Sequence, residues 1–195
     1  MPTKCILNLA FNITVIFLSE EVKLLEKLKR LWETSPVVMK GHYRYVVHPI
    51  TDGIPYIEPR LLEDIVKKIM EVADLHVDYI VTPEAMGIPI ATLLSYKTKI
   101  PLNVVRKKEY KLNGELKVYQ KTGYAECQMY VNGLKRGDRV LIVDDIVSTG
   151  GTLLGIIKVL KKAGIKIADV ITVFERGEGK KRIERETGFK IKTLL

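Results

Sequence analysis

The sequence predicts an α/β fold with a mainly parallel central sheet flanked by helices. Two observations carry this. From residue 59 onward, short apolar runs alternate with single helical stretches, the rhythm of strands joined by crossover helices on both faces of a sheet. The run over 140–143 is apolar throughout and leads directly into Asp144 and Asp145, with Ser, Thr and Gly two residues further on. It reads as a buried strand that delivers polar groups to the carboxyl edge of the sheet.

The elements follow in order. Ser19 suits a helix cap, and Glu20 and Glu21 suit the positive end of the dipole. Val22, Leu24, Leu25, Leu28 and Leu31 then recur at helical spacing up to about Thr34. Residues 43–50 read as a strand, and Asp52-Gly53-Ile54-Pro55 as a turn. Pro59 opens a helix whose apolar face is Leu61, Leu62, Ile65, Val66, Ile69 and Val72. A strand over 77–82, a helix over 87–96 and a strand over 101–105 come next. Residues 107–123 are polar and lysine-rich, with Gly114 and Gly123. A short strand over 128–131, the strand over 140–143 and a helix over 151–163 stopped by Gly164 follow. A strand over 167–174, a helix over 180–186 and a strand over 189–194 complete the chain.

No linker or internal repeat divides residues 19–195, so they read as one domain. Residues 1–18 form an extension of unclear status: mostly apolar from Cys5, too short to span a bilayer, and without the basic start and small-residue cleavage site of a signal peptide. The two cysteines, Cys5 and Cys127, form no CxxC pair, which argues against zinc. Reduced thiols in a cytoplasmic protein are the expectation. A net charge of +9 favours polyanions, among them nucleic acid, an anionic membrane surface or a multiply phosphorylated substrate. Charge alone does not choose among these and a solubilising surface.

The stretch Val140-Leu-Ile-Val-Asp-Asp-Ile-Val-Ser-Thr-Gly-Gly-Thr152 is the most informative. Backbone N–H groups at the start of a helix favour a phosphate. Gly150 and Gly151 let the backbone come close, and Ser148, Thr149 and Thr152 add hydroxyls. Asp144 and Asp145 repel a phosphate. They suit sugar hydroxyls, or a hydrated Mg²⁺. No Lys follows the Gly pair, so this is not a Walker loop.

This stretch resembles the signature of the type I phosphoribosyltransferase family throughout, and the resemblance extends from about Gly41 to Leu195. It implies a hood over the active site, a flexible lid loop and a homodimer. It also implies transfer of ribose 5-phosphate from phosphoribosyl pyrophosphate (PRPP) to a purine base, with Mg²⁺ accompanying PRPP. Asp144 and Asp145 would hold the ribose hydroxyls, and the metal directly or through water. Val147, Ser148, Thr149, Gly150, Gly151 and Thr152 would hold the 5-phosphate. Glu84-Ala85-Met86-Gly87 would form the pyrophosphate turn, with Met86 where purine members often carry Arg. Arg106, Lys107 and Lys111 would add cations to that site. Residues 109–123 are the lid, in which Lys111 and either Glu109 or Glu115 would serve catalysis.

For the base, Phe174 is placed either to stack on a purine or to fill the core, and Glu175 offers an acceptor. The Gly-Gly pair and the acceptor suit adenine, giving AMP. The segment from Tyr45 to Pro55 and the Glu175-Arg176-Gly177 tail resemble an archaeal branch assigned to hypoxanthine or guanine, which is the alternative. The residues as a whole read as an adenine enzyme of purine salvage. A PRPP-sensing nucleic-acid regulator is the competitor from another class. Residues 1–40 show no helix-turn-helix to support it, so nucleic acid is not the expected partner, and neither is a membrane.

Overall fold

The computed structural model describes residues 22–41, 43–121 and 126–195. The N-terminal extension, the proposed Ser19 cap, His42 and Gly123 lie outside the described residues.

Five strands, β3 (Tyr79–Pro83), β4 (Leu102–Val105), β7 (Arg139–Val147), β8 (Lys166–Glu175) and β9 (Lys192–Thr193), form one sheet in the order β4-β3-β7-β8-β9. Every pairing within it is parallel. Successive strands run outward in one direction from β3 and in the other from β7. The two loops at the centre therefore diverge and leave a crevice at the carboxyl ends of β3 and β7.

Each face is closed by apolar packing. On one side lie α1 (22–34), α3 (Pro59–Val72) and α4 (Gly87–Thr98). Leu28, Leu61, Ile65, Ile69, Ile90 and Leu94 pack there against Ile80, Leu141 and Val143 of the sheet. On the other side, α5 (Gly151–Lys162) buries Leu153, Ile156, Ile157 and Leu160 against Val81, Val140 and Ile142. Ile183 of α6 (Gly179–Thr187) joins that second layer. Alternating residues of β7 thus feed opposite faces, the period-2 geometry of a strand buried on both sides. Among the described residues, no helix is long and apolar enough to cross a membrane.

Several elements differ from the sequence reading. The strand expected over 43–50 stops early: β2 (Tyr43–Val46) pairs antiparallel with β1 (Val37–Lys40), which apolar patterning did not reveal. His48 then caps a single helical turn, α2 (Pro49–Asp52), its Nδ1 accepting the Ile50 N–H at 3.0 Å. The expected lid over 109–123 is partly a strand. β5 (Leu116–Lys121) pairs antiparallel with β6 (Glu126–Val131). This hairpin packs on α5 at Gly155, where a Cβ would lie 2.5 Å from the Tyr119 carbonyl oxygen.

Candidate active site

β7 runs further than expected. Its pairing with β8 continues to Val147↔Glu175, so Asp144 and Asp145 belong to the strand and the chain turns at Ser148. Ile146 and Val147 extend the apolar alternation, and Val147 is 1% exposed. The Val147 carbonyl accepts the Arg176 N–H at 2.8 Å. The next residues, Ser148 to Gly150, form the bend that opens α5, and Gly150 adopts a left-handed conformation at φ 75° as its cap.

That bend is braced from behind. The Gly179 N–H donates to the Ser148 carbonyl at 2.9 Å. A Cβ on Gly179 would sit 2.5 Å from Gly150 N, and one on Gly150 would sit 2.7 Å from Gly179 O. The two glycines therefore let the start of α6 press directly on the bend. Neither Gly179 nor Arg176 was assigned a role from the sequence.

A cleft of about 420 Å³ lies above the crevice. Its walls include Glu84, Ala85, Met86, Lys107, Asp144, Asp145, Val147, Ser148, Thr149, Gly150, Gly151, Thr152 and Arg176. Both aspartates are nearly buried. Burial lifts the Asp144 carboxyl to about 6, opposed by its hydrogen bonds with Asp145. The Asp145 carboxyl is pushed well above the usual range by burial first and the Asp144 charge second. The Asp145 N–H donates to Asp144 Oδ1 at 3.0 Å. Gly87 makes room for this pair, since a Cβ there would lie 2.9 Å from Asp144 Oδ1 and closer still to Thr82 Oγ1.

The turn after β3 is tied to the end of β4. Glu84 pairs with Arg106 Nε at 2.7 Å, and its Oε1 accepts the Lys107 N–H at 3.0 Å. Arg106 thus turns toward Glu84 and does not line the cleft, whereas Lys107 does. The other expected lid residues stay outside as well. Glu109 pairs with Lys117 at 2.7 Å. Glu115 accepts the Tyr110 and Lys111 N–H groups at 3.0 Å each and the Asn132 amide at 2.8 Å. These bonds hold Glu109, Lys111 and Glu115 in the local fold of the loop, not in the cleft.

The base residues also require correction. Phe174 is 2% exposed and lies between Trp32, at 5.1 Å, and His48, at 4.7 Å. Of its two expected positions it takes the core one, and it does not line the cleft. Glu175 pairs with Lys180 at 3.0 Å and also lies outside it. The aromatic rings on the cleft wall are Trp32 and Tyr45. The Tyr45 hydroxyl donates to Asp52 Oδ1 at 2.5 Å. The Asp52 carboxylate also accepts the His48 N–H and the Thr51 hydroxyl, which fixes the corner between β2 and α2. His48 is a core residue, neutral because burial lowers its pKa to about 4, although the Asp52 charge pulls the other way.

An acid pair and a phosphate-ready bend facing one crevice at a topological switch point are the arrangement of a sugar-phosphate-binding α/β protein. Comparison with known proteins narrows this. A family model described as the phosphoribosyl transferase domain matches residues 57–192, and the chain belongs to the type I phosphoribosyltransferase family.

A hypoxanthine/guanine phosphoribosyltransferase from Methanotorris igneus is 52% identical, over 86% of this chain and 92% of its own. One of the same description from Methanosalsum zhilinae is 54% identical, over 88% and 90%. Among solved structures, the adenine phosphoribosyltransferase of Thermoanaerobacter pseudethanolicus superimposes with a TM-score of 0.71 at 22% identity, covering 87% of this chain and 98% of that one. The adenine enzyme of Saccharomyces cerevisiae gives 0.69 at 20%, covering 89% and 99%. At that identity the structural likeness shows the fold alone.

The relatives above 50% identity overturn the adenine reading. The structure explains why its two indicators misled. Of the Gly-Gly pair, Gly150 is required by its contact with Gly179, whatever the base. The Glu175 acceptor is occupied by Lys180 outside the cleft.

Proposed function

We propose that the protein converts hypoxanthine or guanine, with PRPP, into IMP or GMP and pyrophosphate. The observation that carries the chemistry is the shared cleft, in which the acid pair, the Ser148–Thr152 bend and the turn at 84–87 face one another. The identity of the base rests on the relatives that are more than half identical.

In this reading Asp144 and Asp145 accept hydrogen bonds from the ribose 2- and 3-hydroxyls. Backbone N–H groups and hydroxyls of Ser148, Thr149 and Thr152 hold the 5-phosphate against the start of α5. The turn at 84–87 and Lys107 receive pyrophosphate. A purine ring nitrogen attacks ribose C1 and gives up its proton to solvent, the bond to pyrophosphate breaks with its electron pair leaving on oxygen, and the configuration inverts. Trp32, which also lines the cleft, supplies a stacking surface for the base.

Among the described residues no group of three His, Cys, Asp or Glu side chains converges to hold a metal. Two carboxylates do fit Mg²⁺ that arrives with PRPP, since this ion keeps several waters and takes one or two carboxylates beside substrate phosphates. Asp144 and Asp145 would hold it directly or through water, and it would neutralise charge on the departing pyrophosphate.

The test is turnover of purified protein with PRPP, Mg²⁺ and each of hypoxanthine, guanine, adenine, xanthine and uracil. IMP and GMP formation is expected, with adenine at least about tenfold slower. Adenine as the preferred base would overturn the assignment.

The raised carboxyl pKa values give a pH signature. A proton on either aspartate removes an acceptor for the sugar, so PRPP binding strengthens as pH rises through about 6. Stability of the unliganded protein moves the opposite way. The folded state binds protons that the unfolded state releases, so this pair's contribution is full below about 4 and is lost as pH rises through about 6 and beyond. The increase in Tm caused by PRPP with Mg²⁺ is therefore expected to grow between pH 5 and pH 8. A thermal shift independent of pH would contradict the role of the pair.

A further inference from the structure

The corner between β2 and α2 brings a cluster of side-chain oxygens to the cleft. Tyr45, Thr51 and Asp52 line its wall together with Trp32. The Trp32 ring is a neighbour of this corner. It lies 5.7 Å from the ring of His48, whose backbone N–H donates to Asp52 Oδ2 at 2.9 Å. A flat apolar surface therefore stands beside a polar edge. The corner is also near the acid pair: behind burial and the Asp144 charge, the Asp52 charge lifts the Asp145 carboxyl.

Asp52 fixes where the protons of the corner lie, because a carboxylate only accepts. Its Oδ2 takes the His48 N–H and, at 2.7 Å, the Thr51 hydroxyl. Its Oδ1 takes the Tyr45 hydroxyl at 2.5 Å. The phenolic proton is thereby committed to Asp52, and any further bond to the Tyr45 oxygen is one that this oxygen accepts. The Lys40 ammonium, 3.4 Å from the ring centre, steadies the ring itself.

We propose that Tyr45 selects 6-oxopurines: its hydroxyl oxygen, kept an acceptor by Asp52, takes the N1–H of a base stacked on Trp32. The inference rests on the proposed transfer to hypoxanthine and guanine, and it names the residue that makes that choice. The sign of the interaction at N1 decides. Hypoxanthine and guanine carry a proton there, and adenine presents a lone pair. An acceptor facing N1 attracts the first two and repels the third. A site built to bond an N–H rejects an analogue that lacks it, because the buried acceptor is left unpaired. Asp52 is a positioning residue, acting on the base through the Tyr45 hydroxyl.

The test is steady-state kinetics of the unaltered protein, Tyr45→Phe and Asp52→Asn with hypoxanthine, guanine and adenine, each with PRPP and Mg²⁺. The quantity read is the ratio of kcat/KM for hypoxanthine to that for adenine on one preparation, so the fraction of folded protein cancels. Tyr45→Phe keeps the ring that Lys40 contacts. It is expected to lower the ratio about tenfold, the effect of one lost hydrogen bond. Asp52→Asn is expected to lower it further, with adenine turnover rising. The His48 N–H still needs an acceptor, so the amide oxygen takes the place of Oδ2 and the amide nitrogen faces Tyr45. That nitrogen donates to the phenolic oxygen, and the Tyr45 proton turns to the base, where it suits adenine N1.

An unchanged ratio in Tyr45→Phe overturns the proposal, whether activity falls with every base or with none. A reduced ratio in Tyr45→Phe with an unchanged one in Asp52→Asn overturns the control exerted by Asp52. In both cases an unaltered protein that prefers hypoxanthine and guanine leaves the functional reading standing. Preference of the unaltered protein for adenine overturns that reading and the inference with it.

Discussion

Replacing both Asp144 and Asp145 by Asn is expected to lower kcat/KM for PRPP by about 10² to 10⁴, while the protein stays folded and is at least as thermostable at pH 8. The loss follows from the bonds removed. A hydrogen bond to a charged group contributes about 1.5–3 kcal/mol, and two sugar hydroxyls each lose such an acceptor. Each ~1.4 kcal/mol is a factor of ten. The stability result follows from burial. Both side chains are nearly excluded from water, and both carboxyls are pushed upward by that environment. The unliganded fold therefore works against their ionisation. Asparagine keeps the volume and removes the charge. Gly87 still accommodates the side chain at 144, because the contact depends on its shape.

The decisive measurements are PRPP kinetics and thermal melts at pH 5 and pH 8. Lower activity combined with equal or higher Tm is the pattern of a site whose charges are held for function and not for folding. Unchanged kcat/KM in the double variant would remove the acid pair from the mechanism. Lower activity with a large fall in Tm would mean that the carboxylates brace the sheet.

The part of the fold that could be read from the sequence is the part whose side chains are buried with a regular period. α3 was legible because Leu61, Ile65, Val66 and Ile69 face the core at helical spacing. β7 was legible because both its faces are buried. The hairpin of β1 and β2 was not. Val37, Val38 and Met39 are all substantially exposed, so no alternation marks a buried face. The true end of β7 was missed because the acid pair interrupts the apolar run while pairing with β8 continues beyond it.

For the site, the local motif was legible and its tertiary supports were not. Asp144 through Thr152 are contiguous and announce both the acids and the bend. Trp32 reaches the cleft from α1, where its sequence context shows only the far end of an amphipathic helix. Arg106 looked like a phosphate ligand because its partner, Glu84, is distant in sequence but sits 2.7 Å away in the fold. Phe174 ends an apolar strand, and only packing against Trp32 and His48 decides which of its two expected positions it takes.

Gly179 presses on the bend proposed to hold the 5-phosphate, and Gly179→Ala is expected to cut kcat/KM for PRPP by about 10²-fold. Its Cβ would meet the Ser148 carbonyl and lie 2.5 Å from Gly150 N. Both are backbone atoms of the bend, so no flexible side chain can yield. Gly150 cannot retreat either, because it holds φ 75° as the cap of α5. The strain must move the bend or lift α6. A displacement of about 1 Å at a positioning group is enough for a loss of that size. Overpacking costs about 1–3 kcal/mol, or roughly 2–12 °C in Tm for a chain of this length.

Gly188→Ala separates loop geometry from general destabilisation. Gly188 caps the other end of the same helix at φ 72°, and a Cβ there would meet nothing within 4 Å. Its substitution strains the cap by about 1 kcal/mol without touching the bend. Comparable melting shifts are therefore expected from the two variants, with PRPP kinetics disturbed only by the first. Equal kinetic losses in both would show that α6 acts through overall stability, and the contact of Gly179 with Gly150 would then have no particular part in holding the 5-phosphate.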